Sequence, residues 1–272
     1  MRRIAHLSDL HFGRHDVTVV NGLSAALASI RPDVVVISGD LTQRARRSQF
    51  AAARDFVAGL RGAGLPVVVV PGNHDVPLYD ITRRFFSPLA RFRRYIEAER
   101  YPLFADSEIA ILGINTARSL TIKDGRVSHE QMACVREKFA ATAPGTRRLL
   151  VTHHPLVELP WGEGGKELEA AGRAEAALQT ALDAGVHLLL AGHHHQPFSG
   201  SAATFLAAGH SMLVVQAGTT TSTRLREHAN SFNLIESDGD DLRVEVHAWD
   251  EGGFEAAASE AYRFADNRWH LI

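Results

Sequence analysis

The chain has 272 residues, 45% of them hydrophobic and 22% charged, which excludes disorder and allows a core built without disulfide or metal staples. Its 29 Lys+Arg against 31 Asp+Glu leave a formal charge of −2, so no global field draws it to nucleic acid or an anionic membrane. The one cysteine, Cys134, excludes an internal disulfide, and neither a signal peptide nor a bilayer-spanning run is visible, so a cytoplasmic location with no membrane partner is expected.

Taken in chain order, short apolar runs alternate with longer segments of helical spacing. Strands are predicted at Ile4–Leu7, Val34–Ile37, Val67–Val70, Ile109–Ile114, Leu149–Thr152 and His187–Ala191. Their Val/Ile/Leu density without alternation fits strands buried on both faces. Helices are predicted at Val17–Ile30, Ser48–Arg61, Asp80–Glu99, Ser128–Ala141 and Ala171–Ala184. Ser128-His129-Glu130-Gln131 reads as a capping box, Pro32 stops the first helix, and Gly62 and Gly64 stop the second.

After about Met212 the pattern changes to Met212–Gln216, Ser231–Glu236, Leu242–Trp249 and Glu260–Phe264, strands parted by turns such as Glu251-Gly252-Gly253. The expected fold class is therefore α/β: a four-layer αββα sandwich of two packed mixed sheets flanked by helices. No linker divides the chain, so one domain over 1–272 is expected. Its αβ-alternating part would be 1–211, and a meander over 212–272 would complete the second sheet.

Fifteen histidines is a high count, and their positions carry more information than their number. Five apolar runs end in polar punctuation: Asp9-Leu10-His11, Gly39-Asp40, Gly72-Asn73-His74-Asp75, His153-His154-Pro155 and Gly192-His193-His194-His195. Ligands gather at the carboxyl ends of strands in open α/β sheets, so five such clusters converge if the strands are neighbours. In extended chain, residues i and i+2 share a side, which pairs Asp9 with His11 and His193 with His195. The donors are the carboxylates of Asp9 and Asp40, the Asn73 amide and the imidazoles of His11, His153, His193 and His195. Nitrogen and oxygen without thiolate favour zinc, manganese, iron or cobalt. Seven donors exceed one tetrahedral ion and suffice for two ions sharing a carboxylate.

In order, these motifs resemble the signature of the calcineurin-like metallophosphoesterases over residues 9 to 195, most closely small bacterial cyclic-nucleotide and glycerophosphodiester phosphodiesterases. The segment Gly218–Arg224 running into Asn230–Asn233 points the same way. The resemblance implies a first divalent or trivalent ion on Asp9, His11 and His195 and a second on Asn73, His153 and His193, with Asp40 bridging. It implies that His74 reaches the phosphoryl oxygen or leaving group and that Asp75 orients or polarises His74. His153 is preferred to His154 because the family's ligand lies two residues before a proline, here Pro155. The activity implied is hydrolysis of a small-molecule phosphodiester by a metal-activated hydroxide. No stable nucleic-acid partner is expected, and a homo-oligomer stays open.

Two other readings remain beside it. A phosphomonoesterase would use the same ions, and a non-catalytic scaffold would be expected to lose ligands, none of which is missing. Cys134 reads as a small buried hydrophobe. The segment Arg83–Arg94 sets five arginines among three phenylalanines. It reads as an anion-attracting rim or aromatic shelf or, preferably, as an amphipathic helix anchored by its phenylalanines. Arg118, Arg224, Arg226 and His210 are further candidates for the neighbourhood of the site. Gly162–Lys166 lacks the spacing of a P-loop.

Overall fold

A computed structural model describes residues 1–121, 124–158, 170–195, 197–201, 211–223 and 229–272. Three parallel strands, β1 (Arg2–Leu7), β2 (Val34–Ile37) and β3 (Val67–Val69), are joined through helices α1 (Val17–Ile30) and α2 (Arg47–Gly62). A second parallel set contains β5 (Ile109–Gly113), β6 (Arg147–Val151), β7 (Val186–Ala191) and β9 (Leu213–Gln216). Helices α5 (His129–Ala140) and α6 (Ala174–Asp183) connect its strands, and the short strands β4 (Leu103–Ala105) and β8 (Phe198–Ser201) form antiparallel edges. Both sheets are therefore mixed.

Side-chain alternation assigns the layers. Val34 and Val36 of β2 pack with Ile111, Leu149, Leu188 and Val215 of the other sheet, forming the seam between the two. Val35 and Ile37 point the opposite way, onto Leu23 and Leu27 of α1 and Phe50 and Val57 of α2. On the far side, Leu112, Leu150 and Leu189 meet Met132, Val135 and Phe139 of α5 and Leu178 of α6. Four layers, αββα, follow, and the parallel strands are buried on both faces as their composition predicted.

The C-terminal strands β10 (Ser231–Asp238), β11 (Asp241–Asp250), β12 (Gly253–Ala265) and β13 (Arg268–Leu271) correct the sequence expectation. They extend the sheet of β1, in the order β13-β12-β11-β10-β1-β2-β3, and only β9 joins the other sheet. The reason is an open edge: β2 and β3 lie on one side of β1, and β10 pairs antiparallel along the other, His6 opposite Asn233.

The single helix expected over Asp80–Glu99 is also corrected. It is two short helices, α3 (Ile81–Phe86) and α4 (Ala90–Tyr95), parted at Ser87-Pro88, because proline supplies no N–H and pushes its predecessor out of the helical region. The other caps follow the sequence. Ser128 accepts from Gln131 N while the Gln131 side chain accepts from Ser128 N, and Asp16 caps α1. Cys134 is buried in α5. No helix of the described residues is long and apolar enough to cross a membrane.

His6 in β1 is fully buried, 3.0 Å from Ser38 Oγ, and burial pushes its pKa down to about 3 against a smaller upward pull from Asp9. Between about 6.5 and that value the unfolded chain binds a proton that the folded chain refuses. The resulting stability is complete above the unfolded pKa and is lost as pH falls, at up to about 1.4 kcal/mol per pH unit. Urea midpoints from pH 4.5 to 7 should therefore fall more steeply with acid in the wild type than in His6→Gln. Parallel slopes would contradict this.

Candidate metal centre

Five parallel strands, β1, β2 and β3 of one sheet and β6 and β7 of the other, end on the loops that carry the donors. The chain turns sharply there. Asp9, His11, Asp40, His193 and His195 all have left-handed backbone, with φ of 53°, 48°, 51°, 78° and 63°. Non-glycine residues rarely adopt that region, and strain of this kind collects at functional sites. The pairing of Asp9 with His11, and of His193 with His195, thus comes from successive left-handed turns rather than the extended alternation expected. Leu10, between the first pair, is buried in the core under α1 and α2.

Two glycines let the loops touch. Gly39 has φ +104°, and a Cβ there would lie 2.5 Å from His153 Nδ1. Gly72 has an ordinary backbone, yet a Cβ on it would collide with the carboxylate and backbone N of Asp40. Its requirement is close approach, not conformation.

The seven donors converge. His11 Nε2 and His195 Nε2 lie 3.5 and 3.6 Å from Asp9 Oδ1. Asn73 Oδ1 lies 3.1 Å from both His153 Nε2 and His193 Nδ1, which are 3.3 Å apart. Asp40 stands between the two groups, Oδ2 3.7 Å from His11 Nε2 and Oδ1 3.5 Å from His153 Nε2. His154 Nδ1 lies 2.8 Å from Thr116 Oγ1, while its ring packs 4.5 Å from that of His193 and offers a nitrogen within 4.8 Å of those of His153 and His193.

Several of the donors are tied down through their remaining atoms. Asp9 Oδ2 accepts from Ser8 Oγ at 2.7 Å and His193 N at 3.1 Å. His153 Nδ1 donates to Ser38 O at 2.8 Å, and His195 Nδ1 contacts Thr219 Oγ1. Such partners fix each imidazole's tautomer and aim its other nitrogen inward. Ser8, Ser38 and Thr219 carry no motif of their own, which is why sequence reasoning missed them.

Electrostatics agree with a cation site. Burial pushes the Asp9 carboxyl up, but His195, His11 and His153 outweigh it and hold it well below the usual range. For Asp40 burial likewise raises and His153, His74 and His11 lower, with a net decrease. Burial first, then His153, His154 and His194, hold His193 well below its ordinary value. Asp9 Oδ1 and His11 Nε2 are fully buried and make no hydrogen bond of normal geometry. Buried polar atoms without partners are costly, and a cation among these nitrogen and oxygen donors would satisfy both. The donor set fits the metal that its motifs imply.

His74 lies at the edge of this centre. Its N–H donates to Asp40 Oδ1 at 2.8 Å, and its Nδ1 lies 2.8 Å from Gln43 O. Asp75, expected to orient or polarise His74, has a different set of partners. Its carboxylate accepts from Leu41 N, Thr42 N, Thr42 Oγ1 and Gly72 N at 2.9–3.1 Å, pinning the Asp40 loop to the Asn73 loop. Burial, then Asp40, raise its pKa to about 6. Gln43 holds the ring that the sequence assigned to Asp75.

A cavity of about 280 Å³ opens beside His74 and Asn73, lined also by Arg14, Arg44, Leu78 and Tyr79. In the arginine-rich segment only Phe92 anchors in the core; Phe85 and Phe86 are 52% and 87% exposed. Arg84 is buried, donating to Pro77 O and Thr121 O, and Arg91 donates to Ala45 O. Gly162–Lys166, His210, Arg224 and Arg226 lie outside the described residues.

The calcineurin-like phosphoesterase family model matches residues 2–197. The chain belongs to the calcineurin-like phosphoesterase family, and it is a metal-dependent phosphoric ester hydrolase. It is 26% identical to the 3′,5′-cyclic adenosine monophosphate phosphodiesterase CpdA of Escherichia coli K12, over 98% of this chain and 91% of that one. It is 35% identical to the glycerophosphodiester phosphodiesterase GpdQ of Enterobacter lignolyticus over 88 residues, 26% of this chain and 29% of that one. The structure of a purple acid phosphatase from yellow lupin seeds shares the fold, with a TM-score of 0.67 at 15% identity. That likeness covers 96% of this chain, which spans about half (53%) of the lupin chain.

Gly72→Ala should displace the Asp40 carboxylate while leaving the two cores intact. Metal affinity by titration is expected to fall about 10–100-fold with little change in the Tm of the metal-free protein. Unchanged affinity would contradict the role assigned to that close approach.

Proposed function

We propose that the protein is a dinuclear phosphodiesterase for small organic phosphodiesters of the cyclic-nucleotide or glycerophosphodiester type. The observation that carries this reading is Asp40, whose two carboxylate oxygens face donors of two different groups. Asp9, His11 and His195 would hold one ion, Asn73, His153 and His193 the other, and Asp40 both. Bound there, divalent ions neutralise phosphoryl charge and acidify water. Manganese, iron, zinc and cobalt all suit these donors. Full-length similarity to a cyclic-nucleotide phosphodiesterase supports the diester class. The residues 1–272 are read as one domain, since donors from both sheets complete the centre.

The chain's own residues account for the leaving group. The Asp40 carboxylate fixes the His74 backbone, and Gln43 O accepts from Nδ1, so the protonated ring can donate from Nε2. A proton delivered to the departing alkoxide from that nitrogen removes the charge that forms as the P–O bond breaks. Asp75 acts one step back, holding the Asp40 and Asn73 loops in register.

A phosphomonoesterase is the second reading, favoured by Arg14 and Arg44 beside the site, because a monoester carries nearly two charges. Steady-state kinetics decide between them. The diesterase should show higher kcat/KM on bis(p-nitrophenyl) phosphate than on p-nitrophenyl phosphate, and a strong monoester preference would overturn it. His74→Ala should keep its metal content by elemental analysis and lose turnover by ~10²–10⁴. Metal loss in that variant would instead make His74 a ligand.

A further inference from the structure

The cavity beside His74 contains more positive charge than the reacting phosphate requires. Arg14, Arg44 and Arg84 line it, Arg84 with its guanidinium donating to Pro77 O and Thr121 O, and among the described residues no carboxylate lines it with them. Neither Arg14 nor Arg44 forms an ion pair with a described carboxylate, although Arg61, Arg100 and Arg263 all do. Arg44 is held at the rim: its Nη1 donates to Tyr79 Oη at 2.8 Å, and its guanidinium lies 5.1 Å from the centre of the Tyr79 ring. Tyr79 is itself 69% exposed. None of the described hydrogen bonds joins either arginine side chain to the seven donors, so both guanidiniums are left for an anion that enters the cavity.

An unpaired guanidinium in a cleft is a natural anion receptor, because its planar fork matches phosphate and carboxylate and it never deprotonates. The Tyr79 contact holds Arg44 in position, so less side-chain entropy is lost when an anion binds. From this geometry we infer that Arg14 and Arg44 form a second anion subsite, which selects phosphate esters carrying a further phosphate or carboxylate beyond the scissile group. The inference rests on the phosphoesterase reading of the centre but not on whether the ester is a mono- or diester.

The same arrangement works against cations. A substrate whose other end is an ammonium group would place positive charge against guanidiniums that no described carboxylate neutralises, so the subsite discriminates by repulsion as well as by attraction. Leu78 and Tyr79 provide an apolar wall beside the arginines, which suits an anion carried on an organic frame better than a bare ion.

Isothermal titration calorimetry on metal-loaded protein tests the subsite without turnover. The probes are adenosine 3′,5′-bisphosphate and its two monophosphates, 3′-AMP and 5′-AMP. The bisphosphate is expected to bind at least tenfold more tightly than either monophosphate, with the ratio shrinking as salt rises. In the double variant Arg14→Gln, Arg44→Gln that ratio should fall below about threefold, and Arg44→Lys should restore part of it. Equal affinities in the wild type would overturn the subsite. So would an equal loss for mono- and bisphosphates in the double variant, since the arginines would then serve the reacting phosphate itself. Circular dichroism and metal content verify that the variants are folded and loaded. Because the readout is binding, failure of the diesterase assay leaves this result interpretable.

Discussion

Everything at the centre depends on how a buried Asp40 carboxylate is neutralised. A charge taken out of water is expensive unless partners surround it, and removing one partner leaves the cost exposed. Asp40 lies where the two sheets' strand-end loops meet, with His11 of one sheet on one oxygen and His153 of the other on its neighbour. The other features follow from that placement. Gly72 lacks a side chain because the carboxylate occupies the space, Asp75 binds the loop to the next one, and His74 rests its backbone on the same oxygen.

The donor loops are also conformationally expensive. Three of them hold five donor residues in the left-handed region, at a cost on the order of 1–3 kcal/mol per residue. The two αβ cores beneath, packed around Leu7 and Ile37 on one side and Leu112 and Leu150 on the other, hold the strand ends fixed and make the strain tolerable. Mechanical precision at the centre comes from layers that contribute no donor at all.

The parallel strands were legible because doubly buried strands need apolar side chains on both faces, and Val34-Val35-Val36-Ile37 supplies nothing else. The donors were legible because each strand end carries its own short motif. The partnership of β10 with β1 was not, since it joins His6 to Asn233 across most of the chain and no local pattern encodes it. β12 was only partly legible, being long, alanine-rich and largely exposed, so it has neither a buried run nor a clean alternation. The break at Ser87-Pro88 lay in plain view, and the helical spacing on either side masked it. Ser8, Ser38 and Thr219 acquire their roles only through tertiary contact. Asp75 follows a histidine in sequence, but three of the four groups that donate to it lie more than thirty residues upstream, on Leu41 and Thr42.

One consequence concerns the seam between the sheets. Its valines, leucines and isoleucines make a non-directional contact that tolerates small slides of one sheet over the other. The donors above it do not, because they come from both sheets and must meet at fixed angles. An ion held by these donors would fasten one sheet to the other, and its binding free energy would add to that of folding as RT ln(1 + [L]/Kd). Resistance to unfolding would then follow the metal supply of the surroundings, with the same ions serving both chemistry and lifetime.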